Sequence, residues 1–315
     1  MRRDRCTAPL KQEGRRDPVT VDRAESDLEG ATDAFQQSRR RLFGIAYRML
    51  GTVADAEDVL QEVWIRWQTA DRETVLEPAA FLSTVTTRLC INILQSARAR
   101  RETYVGPWLP EPVNTEDDPS LGAERGEALQ YAILILLEKL TPTERAAYVL
   151  REALDYPYER IADILQTTPA AARQLLSRAR KHLASERRAA ASRTEQRQLL
   201  EAFLAAAQRG HATELEALFA ADVTSCTDGN GARLAARIPV VGSARVAKFV
   251  AAFSSHFWTG KRVDWVEVNG QPAITLSENG CVTTLLTLTS SASGITRLLW
   301  VMSPEKLHHV TIAGA

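Results

Sequence analysis

At 315 residues the chain is too long for one ordinary domain and fits two or three. Its 39 Lys and Arg balance 39 Asp and Glu, and with 45% hydrophobic and 25% charged residues it can bury substantial cores and is not disordered throughout. No apolar run approaches a membrane span, the charged start Met1-Arg2-Arg3-Asp4-Arg5 has no apolar stretch behind it, and Cys6, Cys90, Cys226 and Cys281 are too dispersed for a zinc site or a disulfide framework. The expectation is a cytoplasmic protein with reduced thiols, without membrane association, metal or cofactor. Global neutrality counts against nucleic-acid binding only as an average, so the segments are read separately.

Residues 1–30 mix Arg, Asp, Glu, Gly and Pro without apolar periodicity and read as a disordered tail. Residues 31–106 are helical in pattern: Leu42, Ile45, Ala46, Met49 and Leu50 recur at three- and four-residue spacing. From Asp55 to Trp67, Ala56, Val59, Leu60, Val63, Trp64 and Trp67 predict a buried stripe. Asp58, Gln61, Glu62 and Ile65 share a second, outward stripe. An acidic stripe carrying one apolar residue suits docking onto a basic helical partner, and a plain solvated face is the alternative. Residues 107–125 form a proline-rich acidic linker beginning Pro107-Trp108-Leu109-Pro110-Glu111-Pro112, where proline forbids helix and favours an extended chain.

Helical periodicity returns over 126–190. Tyr158–Leu165 places Ile161, Ala162 and Leu165 on one face, and Gln166-Thr167-Thr168-Pro169 breaks the helix. Thr168 is the expected N-cap of the next helix, with Pro169 at its first position. That helix predicts a buried face of Ala172, Leu175, Leu176, Ala179 and Leu183, and an exposed one of Arg173, Gln174, Ser177, Arg178 and Lys181. Between Pro157 and Arg193 eight Lys and Arg meet three acids, a local positive excess hidden by the whole-chain average. Two short helices, the second basic outside, form a reader for the major groove. A helical hairpin with a solvated basic face is the alternative. Gln166 stands where many such turns carry Gly, at a cost of about 1 kcal/mol.

Residues 195–315 change character. Helices are expected over Glu195–Arg209, Ala212–Phe219 and Ser243–Phe257, then strands over Val263–Val268, Ala273–Leu276, Cys281–Leu288 and Ile295–Val301, with a last run at His309–Ile312. Helices followed by an antiparallel meander make an α+β unit. Asn230-Gly231 is a β-turn signal. Pocket candidates are His211, Asp222, Asp228, His256, Trp258, Trp265 and Trp300, though no two ionisable residues have a spacing that dictates catalysis.

The run DAEDVLQEVW, then AAFLSTVTTRLCINILQSARARRE, a linker, and a helix-turn-helix ending LLSRARKHL resembles the extracytoplasmic-function (ECF) sigma factors of bacterial RNA polymerase over residues 35–188. The linker motif Trp108-Leu109-Pro110-Glu111-Pro112, with Asp228-Gly229-Asn230-Gly231-Ala232-Arg233 and Ser303-Pro304-Glu305-Lys306-Leu307, is similar to the sigma-J-like, group-41 subgroup with a fused SnoaL-like domain, although the last two motifs are degenerate. The resemblance implies a multidomain fold: two all-α sigma domains (regions 2 and 4) and an α+β NTF2-like, SnoaL-like cone.

It also implies roles. Asp55, Glu57, Asp58, Gln61, Glu62 and Ile65 would dock on the β′ clamp of core polymerase, whose β flap would meet region 4. Arg88, Asn92, Gln95, Arg98, Arg100 and Arg101 would hold the −10 DNA, with Trp64, Trp67 and Phe81 as stacking or packing rings. A loop over 68–77 would receive a flipped base. Arg173, Gln174, Ser177, Arg178 and Lys181 would read the −35 element. Trp108, Leu109, Pro110, Asp228, Gly229, Gly231, Arg233, Pro304, Lys306 and Leu307 would be regulatory, the Asn230-Gly231 segment being either a turn only or a turn that also touches the sigma regions. The expected function is promoter recognition and transcription initiation, regulated in cis and non-enzymatic, with no anti-sigma partner assigned. Two alternatives stand beside it: a bifunctional protein whose cone binds or turns over a small molecule, and a helix-turn-helix repressor with a ligand-binding domain.

Overall fold

The computed structural model describes residues 18–101, 104–114, 131–184, 191–232, 234–308 and 310, without the side chains of 18–28 and 97–101. Helix α1 (Pro18–Leu50) starts inside the segment read as a tail and ends at Gly51, whose φ of +81° glycine adopts without steric cost. A Cβ on Gly51 would lie 2.6 Å from the Trp108 ring, so the turn and the linker both require glycine. Thr52 caps α2 (Val53–Thr69), its hydroxyl accepting from the Asp55 amide at 3.2 Å. The expected stripe of α2 is buried except for Trp64, which is half-buried with its ring 5.1 Å from that of Phe35. A short 3₁₀ turn (Arg72–Thr74) leads to α3 (Pro78–Arg101), which packs on α1 and α2.

The second helical body contains α4 (Tyr131–Leu137), α5 (Pro142–Tyr148), a π turn (Val149–Ala153), α6 (Tyr158–Leu165) and α7 (Pro169–Ala184). Thr141 and Glu144 form a reciprocal capping box at the start of α5. At the end of α6, Gln166 takes the left-handed conformation (φ +54°). Thr167 N donates to Ala162 O at 2.9 Å and Gln166 N to Asp163 O at 3.3 Å, the two bonds of a Schellman motif. The turn thus has the geometry that glycine usually supplies, with glutamine in it. Ile164, rather than Leu165, completes the buried face with Ile161 and Ala162, while Leu165 and Leu175 are only half-buried.

The third unit is α8 (Arg193–Arg209), α9 (Ala212–Leu218), β1 (Phe219–Asp228), β2 (Val240–Val241), α10 (Ser243–Ala252), α11 (Ser254–Phe257), β3 (Arg262–Val268), β4 (Gln271–Glu278), β5 (Cys281–Ser291), β6 (Gly294–Val301) and α12 (Pro304–Leu307). The single helix expected over 243–257 breaks at Phe253. Strands β3 to β6 form the expected antiparallel meander, and β1 joins β6 in parallel to give the order β2-β1-β6-β5-β4-β3. The run expected at His309–Ile312 lies outside the described residues apart from Val310.

The sheet's alternation separates two cores. Ile274, Leu286 and Trp300, paired across β4, β5 and β6, pack with Phe203 of α8 and Val250 of α10 inside the cone. Their neighbours Ala273, Leu285, Leu299 and Val301 face the other way and share a core with Leu42, Tyr47, Leu109 and Tyr131. The face that an open antiparallel sheet commonly presents to water is here covered by the helical bodies and the linker.

Candidate regulatory clamp and nucleic-acid interface

The linker is extended, as its prolines require, but it is not a free spacer: Leu109, Pro110, Glu111 and Pro112 are buried. Each body holds it by its backbone. From the first, Gly51 O accepts from Glu111 N at 2.7 Å and Tyr47 Oη donates to Glu111 O at 2.5 Å. The Glu111 side chain returns the contact, accepting from Val53 N at 2.8 Å at the start of α2. From the second body, Tyr131 Oη donates to Pro110 O. From the cone, Asn269 accepts from Val113 N through its side-chain oxygen (3.1 Å) and donates from its own amide to Val113 O (2.9 Å). The Asn269 side-chain amide also donates to Tyr47 Oη at 2.9 Å, so one tyrosine joins α1, linker and cone.

At the other end of the linker lies Asp228, the last residue of β1 and fully buried. One carboxylate oxygen accepts from Leu109 N at 2.6 Å and from Lys306 Nζ at 2.6 Å, and the other from Tyr104 Oη. Burial and the carboxylate's hydrogen bond push the Tyr104 hydroxyl above its ordinary pKa, which keeps it the donor. Lys306 on α12 also donates to Leu109 O at 2.5 Å, and its ammonium lies 4.1 Å from the centre of the Trp108 ring. The Asp228 carbonyl accepts from Met302 and Ser303 amides, tying the end of β6 to this point. The three regulatory motifs read from the sequence therefore meet in one buried cluster: Trp108-Leu109-Pro110 from the linker, Asp228 from β1, Lys306 from α12. Leu307 is buried beside it and Pro304 is exposed.

Asn230-Gly231 is the expected turn, with φ of +43° and +83° and Ala232 N donating to Gly229 O at 2.7 Å. Gly229 has no room for a side chain, since a Cβ would lie 2.2 Å from that of Ala235. Arg233 lies outside the described residues. Tyr47, Tyr104, Tyr131 and Asn269 belong to none of the motifs read from the sequence.

The outward stripe of α2 is present, with Asp58 and Gln61 exposed and Ile65 48% exposed. Asp55 is exposed, and its carboxylate accepts from the Thr52 hydroxyl. Two acids of α2 are engaged at home: Glu57 pairs with Arg39 and Glu62 with Arg66, each at 2.7 Å. On α3, Asn92 and Gln95 are exposed, while Phe81 packs on Trp67 (5.6 Å between centroids) as core. The side chains of Arg98, Arg100 and Arg101 lie outside the described residues. Arg88 is turned onto the second body: Nε donates to Ile164 O at 2.9 Å and Nη2 to Asp163 O at 3.0 Å, the terminal carbonyls of α6. Nearby, Tyr156 Oη donates to Ser83 Oγ at 3.0 Å in a buried contact between the same helices' bodies. The 68–77 loop exposes Leu76 almost completely.

On α7, Arg173, Gln174, Ser177, Arg178 and Lys181 are all exposed. Arg173 sits 3.7 Å from Glu159, and Arg178 Nε donates to Glu144 at 3.0 Å. Burial opposes the charge of Glu144, yet the bonds from Thr141 and Arg178 prevail and hold its pKa below the usual range. Of the pocket candidates, only Trp258 and Trp300 line the cone's cavity. His211 pairs with Glu214 on the surface, His256 with Ser255, Asp222 is exposed, and Trp265 lies under Arg197. Among the described residues no helix is long and apolar enough to cross a membrane, and no cluster suits a metal ion.

Comparison with known proteins agrees with this layout. Residues 34–100 match the Sigma-70 region 2 family and residues 131–183 the Sigma-70 region 4 family. The ECF RNA polymerase sigma factor SigJ of Mycobacterium tuberculosis is 38% identical over 231 residues, 72% of this chain and 74% of that protein. The probable ECF sigma factor SigI of the same species is 30% identical over 90% of this chain and 96% of its own length. A crystal structure of M. tuberculosis SigJ superimposes with a TM-score of 0.71 at 31% identity, covering 88% of this chain and 98% of that one. These matches do not favour the enzyme and repressor alternatives. With region 2 and region 4 helices in order and an α+β unit behind them, the chain belongs to the ECF sigma factors that direct transcription initiation.

Proposed function

We propose that this sigma factor is held in a closed form by its own C-terminal cone, acting through the linker. Residues 31–106 and 126–190 would be the core- and promoter-binding domains, 107–125 the linker and 195–315 the regulatory cone, which does no chemistry of its own in a cytoplasmic protein. The observation that carries the reading is the position of Arg88. A guanidinium that would neutralise −10 phosphate is occupied by the carbonyls of α6. The clamp at Asp228 fixes the linker that would have to move for regions 2 and 4 to spread over promoter DNA. Attachment of the cone to the same chain gives these contacts a high effective concentration. Opening would free Arg88 for the −10 strand and let α2 seat on the β′ clamp and region 4 on the β flap.

Run-off transcription by the full chain, a truncation before Ser303 and a truncation after Arg193 tests this. Removing Lys306 with the first truncation is expected to raise promoter-dependent activity. The second has no assigned sign, because the cone can also assist the open form. Equal activity from all three proteins would remove the cone as an in-cis regulator.

Arg173→Ala and Arg178→Ala are expected to reduce transcription, Arg173→Ala more, because Arg178 must first leave a hydrogen bond to Glu144 at 3.0 Å whereas Arg173 stands 3.7 Å from Glu159. A guanidinium reading guanine would cost about 1–3 kcal/mol, and only at certain −35 sequences. A phosphate contact would weaken all sequences alike and lower the salt slope by about one. Promoter binding measured across salt and sequence separates the two, and full activity in both variants would leave α7 without its assigned role.

A further inference from the structure

The outer face of α7 holds its arginines in two ways. Arg173 stands 3.7 Å from Glu159, a carboxylate that is 67% exposed and can swing aside. Arg178 donates from Nε at 3.0 Å to Oε1 of Glu144, whose side chain is 6% exposed. The other oxygen, Oε2, accepts from Thr141 N at 3.2 Å and from Thr141 Oγ1 at 2.8 Å. His182, one turn further along α7, lies 4.0 Å from the same oxygen. A carboxylate that also closes the cap of its own helix cannot follow an arginine outward.

When Arg178 moves to DNA, it therefore leaves a buried charge with one donor fewer, a cost that the exposed pair of Arg173 does not carry. What DNA offers in exchange differs along the duplex. Phosphate is met everywhere, whereas guanine presents O6 and N7 together to one guanidinium. DNA of arbitrary sequence has the weaker claim, and against it Arg178 stays on Glu144.

From this geometry we infer that Glu144 restrains Arg178, and thereby holds down the affinity of α7 for DNA of arbitrary sequence. Glu144 is a positioning residue in this role: it touches no DNA and acts through Arg178 alone. The inference rests on the reading of α7 as the DNA-facing helix. It gives the helix two kinds of cation, Arg173 available at any sequence and Arg178 in reserve.

Glu144→Gln separates the two jobs of the side chain without changing its shape. Glutamine serves in a capping box as glutamate does. With its amide oxygen on Thr141, its amide nitrogen faces Arg178 Nε, a donor against a donor. The assay is binding of a short random-sequence DNA duplex to the full-length chain, read by fluorescence anisotropy over a range of salt concentrations. Glu144→Gln is expected to tighten binding roughly threefold, as befits a pair whose arginine is exposed. It should also steepen the salt dependence by about one phosphate contact. In an Arg178→Ala background the same substitution is expected to change neither. No gain from Glu144→Gln would overturn the restraint, and so would a gain that survives Arg178→Ala, which reports only a lost negative charge. If Glu144→Gln does not fold, hydrogen exchange at Nε in the wild-type chain decides. Arg178 is expected to exchange more slowly than Arg173, and equal rates would overturn the restraint. Arg173→Ala in the same binding assay tests the reading beneath. Weaker binding there, with no response to Glu144→Gln, keeps α7 on DNA and removes the restraint, whereas unchanged binding removes α7 from DNA altogether.

Discussion

Asp228→Ala is expected to destabilise the folded protein by about 3–5 kcal/mol, the range for removing one partner of a buried ion pair. The reason is the fate of Lys306. With its side chain 8% exposed, its ammonium would lose its carboxylate while keeping the Leu109 carbonyl and the rings of Trp108 and Tyr104. Tyr104 Oη and Leu109 N would lose their acceptor as well. Lys306→Met should cost less, because the Asp228 carboxylate retains those two donors. The double variant Asp228→Ala/Lys306→Met is expected to be more stable than Asp228→Ala alone, since no charge is then left buried without a partner. Urea unfolding gives the ranking, and limited proteolysis between Tyr104 and Asn114 reports whether the linker has come loose. If Asp228→Ala unfolds at the wild-type urea concentration, the buried cluster does not hold the linker.

The second large effect is expected at the α2 stripe. Asp58→Lys should weaken association with core polymerase roughly tenfold or more while helix content stays unchanged, if the contact is desolvated on docking. The structure adds an order to the acids. Glu57 already faces Arg39 and Glu62 faces Arg66, so part of their charge is neutralised within the chain. Asp58 has no such ion pair among the described residues and stands beside the exposed Ile65. Asp58→Lys should therefore exceed Glu57→Lys, measured by competition for core enzyme at physiological ionic strength. Equal affinities for wild type and Asp58→Lys would remove this face from the polymerase contact.

Local chemistry was readable because it acts over a few residues. The Thr168-Pro169 start of α7, the Asn230-Gly231 turn and the buried stripes of α2, α6 and α7 follow from capping, positive φ and a 3.6-residue period, and the structure has them, with Trp64, Leu165 and Leu175 only half-buried. The family followed from the order of such segments. The motifs around Trp108, Asp228 and Lys306 were also visible as resemblances and read there as regulatory, but the side-chain cluster they form was not, because Asp228 and Lys306 are 120 and 198 residues from the linker tryptophan in the numbering and meet it only when the chain is folded.

Tertiary structure decided three things. It buried a linker that composition describes as a spacer, because its carbonyls and amides found partners in all three bodies. It turned Arg88, a basic residue on a helix exposed in pattern, onto the end of α6. It also gave the sheet two cores. Alternating apolar residues such as Ala273 and Ile274, or Leu285 and Leu286, state that both faces are covered, but periodicity carries no information about what covers them. The helices of the cone cover one face, and the sigma regions themselves cover the other, because hydrophobic burial is non-directional and is settled by which surfaces the whole chain can bring together.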